Sequence, residues 1–160
     1  VLANNKKVWD NVTDIMPHPY SVDDADTFIR LAVSSEDQKI FAVVYKGEVA
    51  GVIGLHRMKD VFRLTAEIGY WLGEPYWNKG IATTALKLAT AYGITQMGLV
   101  RIFACTYDFN KASQRVLEKA GYRFEYIARK AVIKNGVIID DHRYCFLDDF
   151  LPENYLTLNS

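Results

Sequence analysis

At 160 residues, 50% of them hydrophobic and 24% charged, the chain is sized for one globular domain with a proper core. Its 19 basic and 19 acidic residues cancel, which argues against a dedicated nucleic-acid binder, whose surface carries a basic excess. That balance still allows a local basic pocket for a phosphorylated ligand. The two cysteines, Cys105 and Cys145, lie far apart in apolar stretches. They read as reduced core thiols, and no metal site is expected from them. No apolar run approaches the roughly 18 residues that span a bilayer. Val1–Lys7 lacks the charged start and apolar core of a signal peptide. The expectation is a cytoplasmic protein with no membrane partner.

In chain order, Val8–Val12 reads as the end of a helix, and Met16-Pro17-His18-Pro19 as a loop. Ser21 is an N-cap with Asp24 in the capping-box position, and Ala25, Phe28, Ile29 and Ala32 form a helical stripe behind it. Ile40–Tyr45 is an apolar strand that Lys46-Gly47 turns into a second, Val49–Met58. After Lys59-Asp60, the run Arg63–Leu72 alternates. Leu64, Ala66, Ile68, Tyr70 and Leu72 face one way; Thr65, Glu67, Gly69 and Trp71 face the other. These three strands predict an antiparallel meander.

The loop Gly73–Asn78 leads into a helix expected over Lys79–Met97, with Ile81, Ala85, Leu88 and Tyr92 as its buried stripe. Leu99–Thr106 is a short strand. A second helix follows over Lys111–Ala120, capped by Asn110 and ended by Gly121. The strand–helix–strand order predicts that 63–72 and 99–106 run parallel. Asn135-Gly136 is the preferred type I′ dipeptide and joins Tyr122–Lys134 to Val137–Leu147 as a hairpin.

The chemistry concentrates where a strand runs into a small-residue turn that opens a helix, Asn78-Lys79-Gly80-Ile81-Ala82-Thr83. Free N–H groups at a helix start, with the helix dipole behind them, bind anions. Gly80 and Ala82 let a phosphate approach the backbone; they also suit tight helix–strand packing. A Walker loop is excluded because Lys79 precedes Gly80, and a dinucleotide fingerprint because its three glycines are absent.

Trp77-x-x-Gly80-x-Ala82 resembles the acetyl-CoA pyrophosphate loop of GNAT acetyltransferases, with Trp77 in place of the opening Gln or Arg. That replacement is typical of the Rim-type branch, which acetylates N-termini of ribosomal proteins. The flanks Glu67-Ile68-Gly69-Tyr70-Trp71-Leu72 and Gly80-Ile81-Ala82-Thr83-x-Ala85 are similar to the same branch. So are Asn110-x-x-Ser113-x-Arg115-Val116-Leu117-Glu118-Lys119-x-Gly121-Tyr122 and Gly136-x-x-x-Asp140-x-x-x-Tyr144-x-x-Leu147. The resemblance covers 39–147. It implies one GNAT domain over 1–160, preceded by a strand and most of a helix. The fold it implies is α/β (α+β): a mixed, mostly antiparallel twisted sheet, splayed between two parallel central strands and flanked by helices. A bulge beside the splay is expected at Gly69.

The resemblance further implies acetyl-CoA as cofactor, held by Tyr70, Leu72, Asn78, Lys79, Gly80, Ile81, Ala82, Thr83, Asn110 and Ser113. The backbone of Lys79 is the better phosphate ligand than its ammonium. The same comparison makes Ser113 the proton donor to the departing thiolate; a tyrosine acid used by many relatives is replaced by Leu117. Asn110 and Ser113 equally suit N-cap and N3 roles. Glu67, alternatively a solvated strand residue, is the candidate general base; His56 and His142 are further ones. Trp71, Trp77, Tyr70 and Tyr76 suit groove lining or core packing.

The expected reaction is direct transfer of acetyl to a primary amine, protein N-terminal or small-molecule, without metal or covalent intermediate. An N-terminal amine, with a pKa of about 8, asks less of a base than a lysine at about 10.4. A non-catalytic acetyl-CoA-binding module and a plain structural domain are the alternatives. Oligomeric state, monomer or homodimer, is left open.

Overall fold

The computed structural model describes residues 2–35 and 37–148. The single-domain expectation for 1–160 also covers Val1, Glu36 and 149–160, which lie outside the described residues. Four helices and six strands are described: α1 Lys6–Trp9, α2 Val22–Ser34, β1 Gln38–Tyr45, β2 Glu48–Arg57, β3 Thr65–Leu72, α3 Ile81–Met97, β4 Arg101–Tyr107, α4 Lys111–Lys119, β5 Arg123–Lys134 and β6 Val137–Leu147. The sheet runs β1-β2-β3-β4-β6-β5. Every neighbouring pair is antiparallel except β3–β4, which is parallel. This is the mixed sheet between helices that the sequence predicts. Among the described residues no helix is long and apolar enough to cross a membrane.

The alternation of β3 sorts the sheet's two faces. Ala66, Ile68 and Leu72 are buried, as are Ile102 and Ala104 on β4, beneath α3 and α4. Leu55, Leu86 and Leu117, all fully buried, complete this core. At roughly 1.5–3 kcal/mol for each large side chain buried, these contacts are what hold α3 and α4 on the sheet. Local signals fix the ends of elements. Ser21 Oγ accepts the Asp24 amide at 3.1 Å, and Asp24 Oδ2 accepts the Ser21 amide at 2.8 Å, completing the capping box. Asn135 (φ 53°) and Gly136 (φ 75°) both take the positive angles that a type I′ turn demands.

Several expectations shift. The first helix spans Lys6–Trp9, begun by Asn5 as N-cap, rather than ending at Val12. Gly69 hosts no bulge: β3 pairs with β2 residue for residue from Ala66 to Leu72, and register shifts lie instead in β1, between Val43 and Val44, and in β5, between Phe124 and Tyr126 and between Ala128 and Val132. The helix expected from Lys79 starts two residues later, because Asn78 (φ 58°) and Gly80 (φ 76°) are left-handed. Its buried residues are Ile81, Leu86, Ala89, Thr90 and Gly93, while Leu88 is 68% exposed. Aliphatic residues and threonines are spread round the whole helix with little amphipathic bias, so sequence periodicity does not choose the face. The α2 stripe is real but largely uncovered, with Ile29 55% exposed and no α2 residue buried.

Candidate active site

β3 and β4 are bonded only along their first turns. Thr65, Ala66 and Glu67 register with Arg101, Ile102 and Phe103, and no later pair does. From Ile68 and Ala104 onward the strands part, opening a cleft whose facing edges lack a strand partner in each other. At the top of the β3 lip stands the loop that begins α3. Gly80 is the N-cap, so no side chain caps the first amides of α3. A Cβ placed on Gly80 would meet no atom within 4 Å. Tight packing therefore does not explain this glycine; its left-handed angle and the open space above it do. Ile81 is buried, Ala82 and Thr83 are half-buried, and Asn78, Lys79 and Gly80 are exposed. The exposed Lys79 ammonium lies 5.9 Å from the Tyr76 ring centroid. Trp77, in the position that departs from the usual motif, donates its indole N–H to the Leu72 carbonyl at 2.7 Å, closing the loop back onto β3.

Across the cleft, α4 presents Asn110 and Ser113. Asn110 Oδ1 accepts the Ser113 amide at 3.0 Å, the N-cap role its residue type favours. The Ser113 hydroxyl is not spent on capping. It lies 2.9 Å from the Tyr70 hydroxyl, which reaches it from β3. Burial pushes Tyr70 up to about 12, against the opposing effect of Ser113, so it stays protonated throughout the physiological range. Leu117 is fully buried in the core.

Glu67 sits on the opposite face of the sheet, where the two strands begin to part. It faces His56 across β2 and Phe103 across β4. Cys105 lies two residues beyond Phe103 on that face; burial, then the Glu67 charge, push its thiol up. Cys105 is half-buried and Cys145 buried, both free thiols. His142 pairs with Thr106 and so points to the other face, its ring 5.8 Å from Phe124. The structure brings His56, not His142, beside Glu67.

Two features here were not singled out from sequence. One is a strap, residues 5–14, laid across the top of the cleft. Asn5 Nδ2 donates to Glu74 Oε2 at 2.9 Å on the β3 side, where Lys7 also pairs with Glu74. On the other side the Tyr107 hydroxyl donates to the Val12 carbonyl at 3.1 Å, and Asn135 Nδ2 donates to Asp10 at 2.9 Å. Lys134, 2% exposed, pairs with Asp14 and rests 3.6 Å from the Trp9 ring centroid. The other is a cavity of about 310 Å³ on the Glu67 face, lined by Met58, Phe62, Phe103, Tyr126, Arg101 and Arg143 among others. Alternation along β6, Asp141-x-Arg143, was the available signal.

The pattern described as "Acetyltransferase (GNAT) domain" matches residues 1–123. The chain is 33% identical over 113 residues to the ribosomal-protein-serine acetyltransferase of Escherichia coli (strain K12), covering 69% of this chain and 62% of that protein. It is 28% identical over 123 residues to the spermidine N(1)-acetyltransferase of the same organism, covering 76% and 66%. The crystal structure of the microcin C7 self-immunity acetyltransferase MccE, in complex with acetyl-CoA and AMP, superposes with a TM-score of 0.80 at 29% identity over 92% of this chain and 83% of that one. The chain spans about half the length of three Bacillus subtilis relatives it matches: 54%, 57% and 51%.

Proposed function

The chain belongs to the GNAT acetyltransferase family, and from that premise we propose that it moves the acetyl group of acetyl-CoA directly onto a primary amine. The observation that carries this reading is the cleft between β3 and β4 with the uncapped, sterically open helix start at Gly80 on its lip. Backbone N–H groups of 80–83 would hold the pyrophosphate, as helix starts hold anions. The free strand edge near Leu72 would take the amide-rich pantetheine arm as it would an added strand. We take residues 1–160 as one such domain.

Acetyl-CoA supplies an acyl carbon already activated as a thioester. Glu67 takes a proton from the attacking amine, directly or through a water, on the face away from α4. Backbone N–H groups at the parting strands face the charge that develops on the acyl oxygen. Ser113, oriented by Tyr70, returns a proton to the departing sulfur, and the Asn110 amide group is free to donate to the cofactor arm because only its oxygen is used for capping. Two bound reactants held in line account for most of the acceleration. The relatives named above act on a ribosomal protein's serine and on spermidine; protein N-terminal and small-molecule amines are both within this reading.

Isothermal titration with acetyl-CoA and CoA, on the native chain and on Gly80→Glu, tests it. Binding that the charged substitution abolishes, followed by thiol release with an amine panel, is the expected result. Binding without thiol release from any amine would favour a non-catalytic acetyl-CoA module. No binding by natively folded protein would overturn the proposal.

A further inference from the structure

On the Glu67 face of the sheet, Arg143 is placed unlike an ordinary surface arginine. Its Nε lies 2.8 Å from Asp141 Oδ2, and the Asp141 side chain is 3% exposed. Its guanidinium carbon is 5.9 Å from the Phe103 ring centroid. The ion pair, which lacks hydrogen-bond geometry at Nε, and the ring together keep the guanidinium beside Asp141 and Phe103. Among the described residues its two terminal amino groups make no hydrogen bond or ion pair, and the side chain lines the 310 Å³ cavity. The neighbouring Arg101 is already engaged, both its terminal nitrogens bonded to Glu125. With the lining carboxylate of Glu125 matched by Arg101, one guanidinium fork is left over in a slot that Phe62, Phe103 and Tyr126 also line, and such a fork can receive a carboxylate in bidentate fashion.

The slot abuts the base. Phe103 is the register partner of Glu67 on one side of β4, and Cys105, two residues on, is that of Arg143 on the other. Glu67 and Arg143 are therefore two strands apart, a backbone separation on the order of 10 Å from interstrand spacing. Arg143 lies over Phe103 and Glu67 reaches Cys105, both on β4, so a ligand joining them needs its amine and its carboxylate several ångström apart. The side chain of an N-terminal Asp or Glu meets that spacing better than an α-carboxylate does.

We propose that this cavity is the acceptor's specificity pocket, and that it selects amines carrying a carboxylate, received by Arg143 while the amine lies at Glu67. The amine part rests on the acetyl-transfer reading; the carboxylate part rests on the cavity. Asp141 is a positioning residue: it holds Arg143 and touches no substrate. Met58, Phe62 and Tyr126 line the cavity but are themselves exposed, so the pairing with Arg143 has to hold in partial contact with water.

The test uses peptide amides identical except for Glu or Gln at the first residue, with free glutamate and glutamine as a second pair. Binding is followed by amide chemical-shift titration of the whole chain, and acetyl transfer by thiol release. The Glu forms should bind roughly 10- to 100-fold more tightly than the Gln forms, the value of a charge-assisted hydrogen-bond pair. Arg143→Met should erase that difference and Arg143→Lys should keep part of it, with CoA affinity as the control for folding. Discrimination with free glutamate points to an amino-acid acceptor, and discrimination confined to the peptides to a protein N-terminus; the carboxylate preference stands in either case. Equal binding of Glu and Gln forms by the native chain would overturn the proposal, as would an Arg143→Met that weakens both equally. Failure of CoA to bind would remove the transfer reading alone, since the titration of the free protein still reads the pocket.

Discussion

Removing the Tyr70 hydroxyl tests whether the side chain on β3 controls the one on α4. The phenol lies 2.9 Å from Ser113 Oγ and carries no other side-chain partner among the described residues. Tyr70→Phe deletes the contact to Ser113 Oγ and a longer one, 3.4 Å, to the Ser113 carbonyl oxygen, together about 1–2 kcal/mol of stability. If Ser113 is the proton donor, the same change frees its χ1 rotor. With three staggered wells open, the productive orientation falls from dominant to about one in three. Adding the lost polarisation, kcat should fall roughly 3- to 10-fold, equivalent to about 0.7–1.4 kcal/mol. Affinity for CoA should hold, because Tyr70 reaches α4 rather than the Gly80 loop. Ser113→Ala should cost more, and the double variant should be no slower than Ser113→Ala, leaving a coupling energy of about 1 kcal/mol. Single-turnover thiol release on all four proteins measures the cycle. Additive losses in the double variant would refute the idea that Tyr70 acts through Ser113. So would a Tyr70→Phe protein at full rate beside a crippled Ser113→Ala.

Two further expectations concern stability. Glu125 is held below its ordinary 4.5, chiefly by the hydrogen bonds from Arg101. A carboxylate depressed in the folded state contributes stability above its unfolded pKa and loses it as pH falls through the folded one. The thermal midpoint should therefore decline below about pH 4.5, and Glu125→Gln should flatten that decline; an unchanged slope in the variant would show that the pair is energetically idle. Lys134→Met keeps the buried stem but removes the contacts to Asp14 and Trp9. Because Asp14 is 65% exposed, no stranded buried charge results, and the loss should be about 1–3 kcal/mol by chemical denaturation. Amide exchange in residues 5–14 should quicken in that variant, and unaltered exchange would contradict the anchoring role.

What was legible in the sequence was what short-range chemistry decides. Asn135-Gly136, the Ser21–Asp24 box and the alternation of β3 are written in neighbouring residues, and each is realised. The order of motifs from Glu67 to Leu147 also carried the family. The start of α3 was misplaced because two left-handed residues, Asn78 and Gly80, keep Lys79 out of the helix, and a sequence pattern does not reveal φ. The buried face of α3 was misjudged because Leu86 and Leu88 are equally apolar and only the position of β2 and β4 separates them. The Arg143 cavity is not legible in the sequence for a different reason. Its walls come from β3, β4, β5, β6 and the short turn at Asp60–Phe62, so no local window contains it.

The strap of residues 5–14 bears on the mechanics of the cleft. Two strand edges that share no hydrogen bonds have no intrinsic spacing, and nothing in the sheet above Glu67 sets one. The gap is also spanned by a tether about ten residues long, fastened at Glu74 on one bank and at Tyr107, Lys134 and Asn135 on the other. Each fastening on the far bank is polar and reversible, and α1 between them is a single helical turn. The two banks are thus joined above the sheet by the strap, one of whose fastenings is the buried Lys134, and below it by the Tyr70–Ser113 bond, so contacts outside the sheet do what strand pairing does elsewhere.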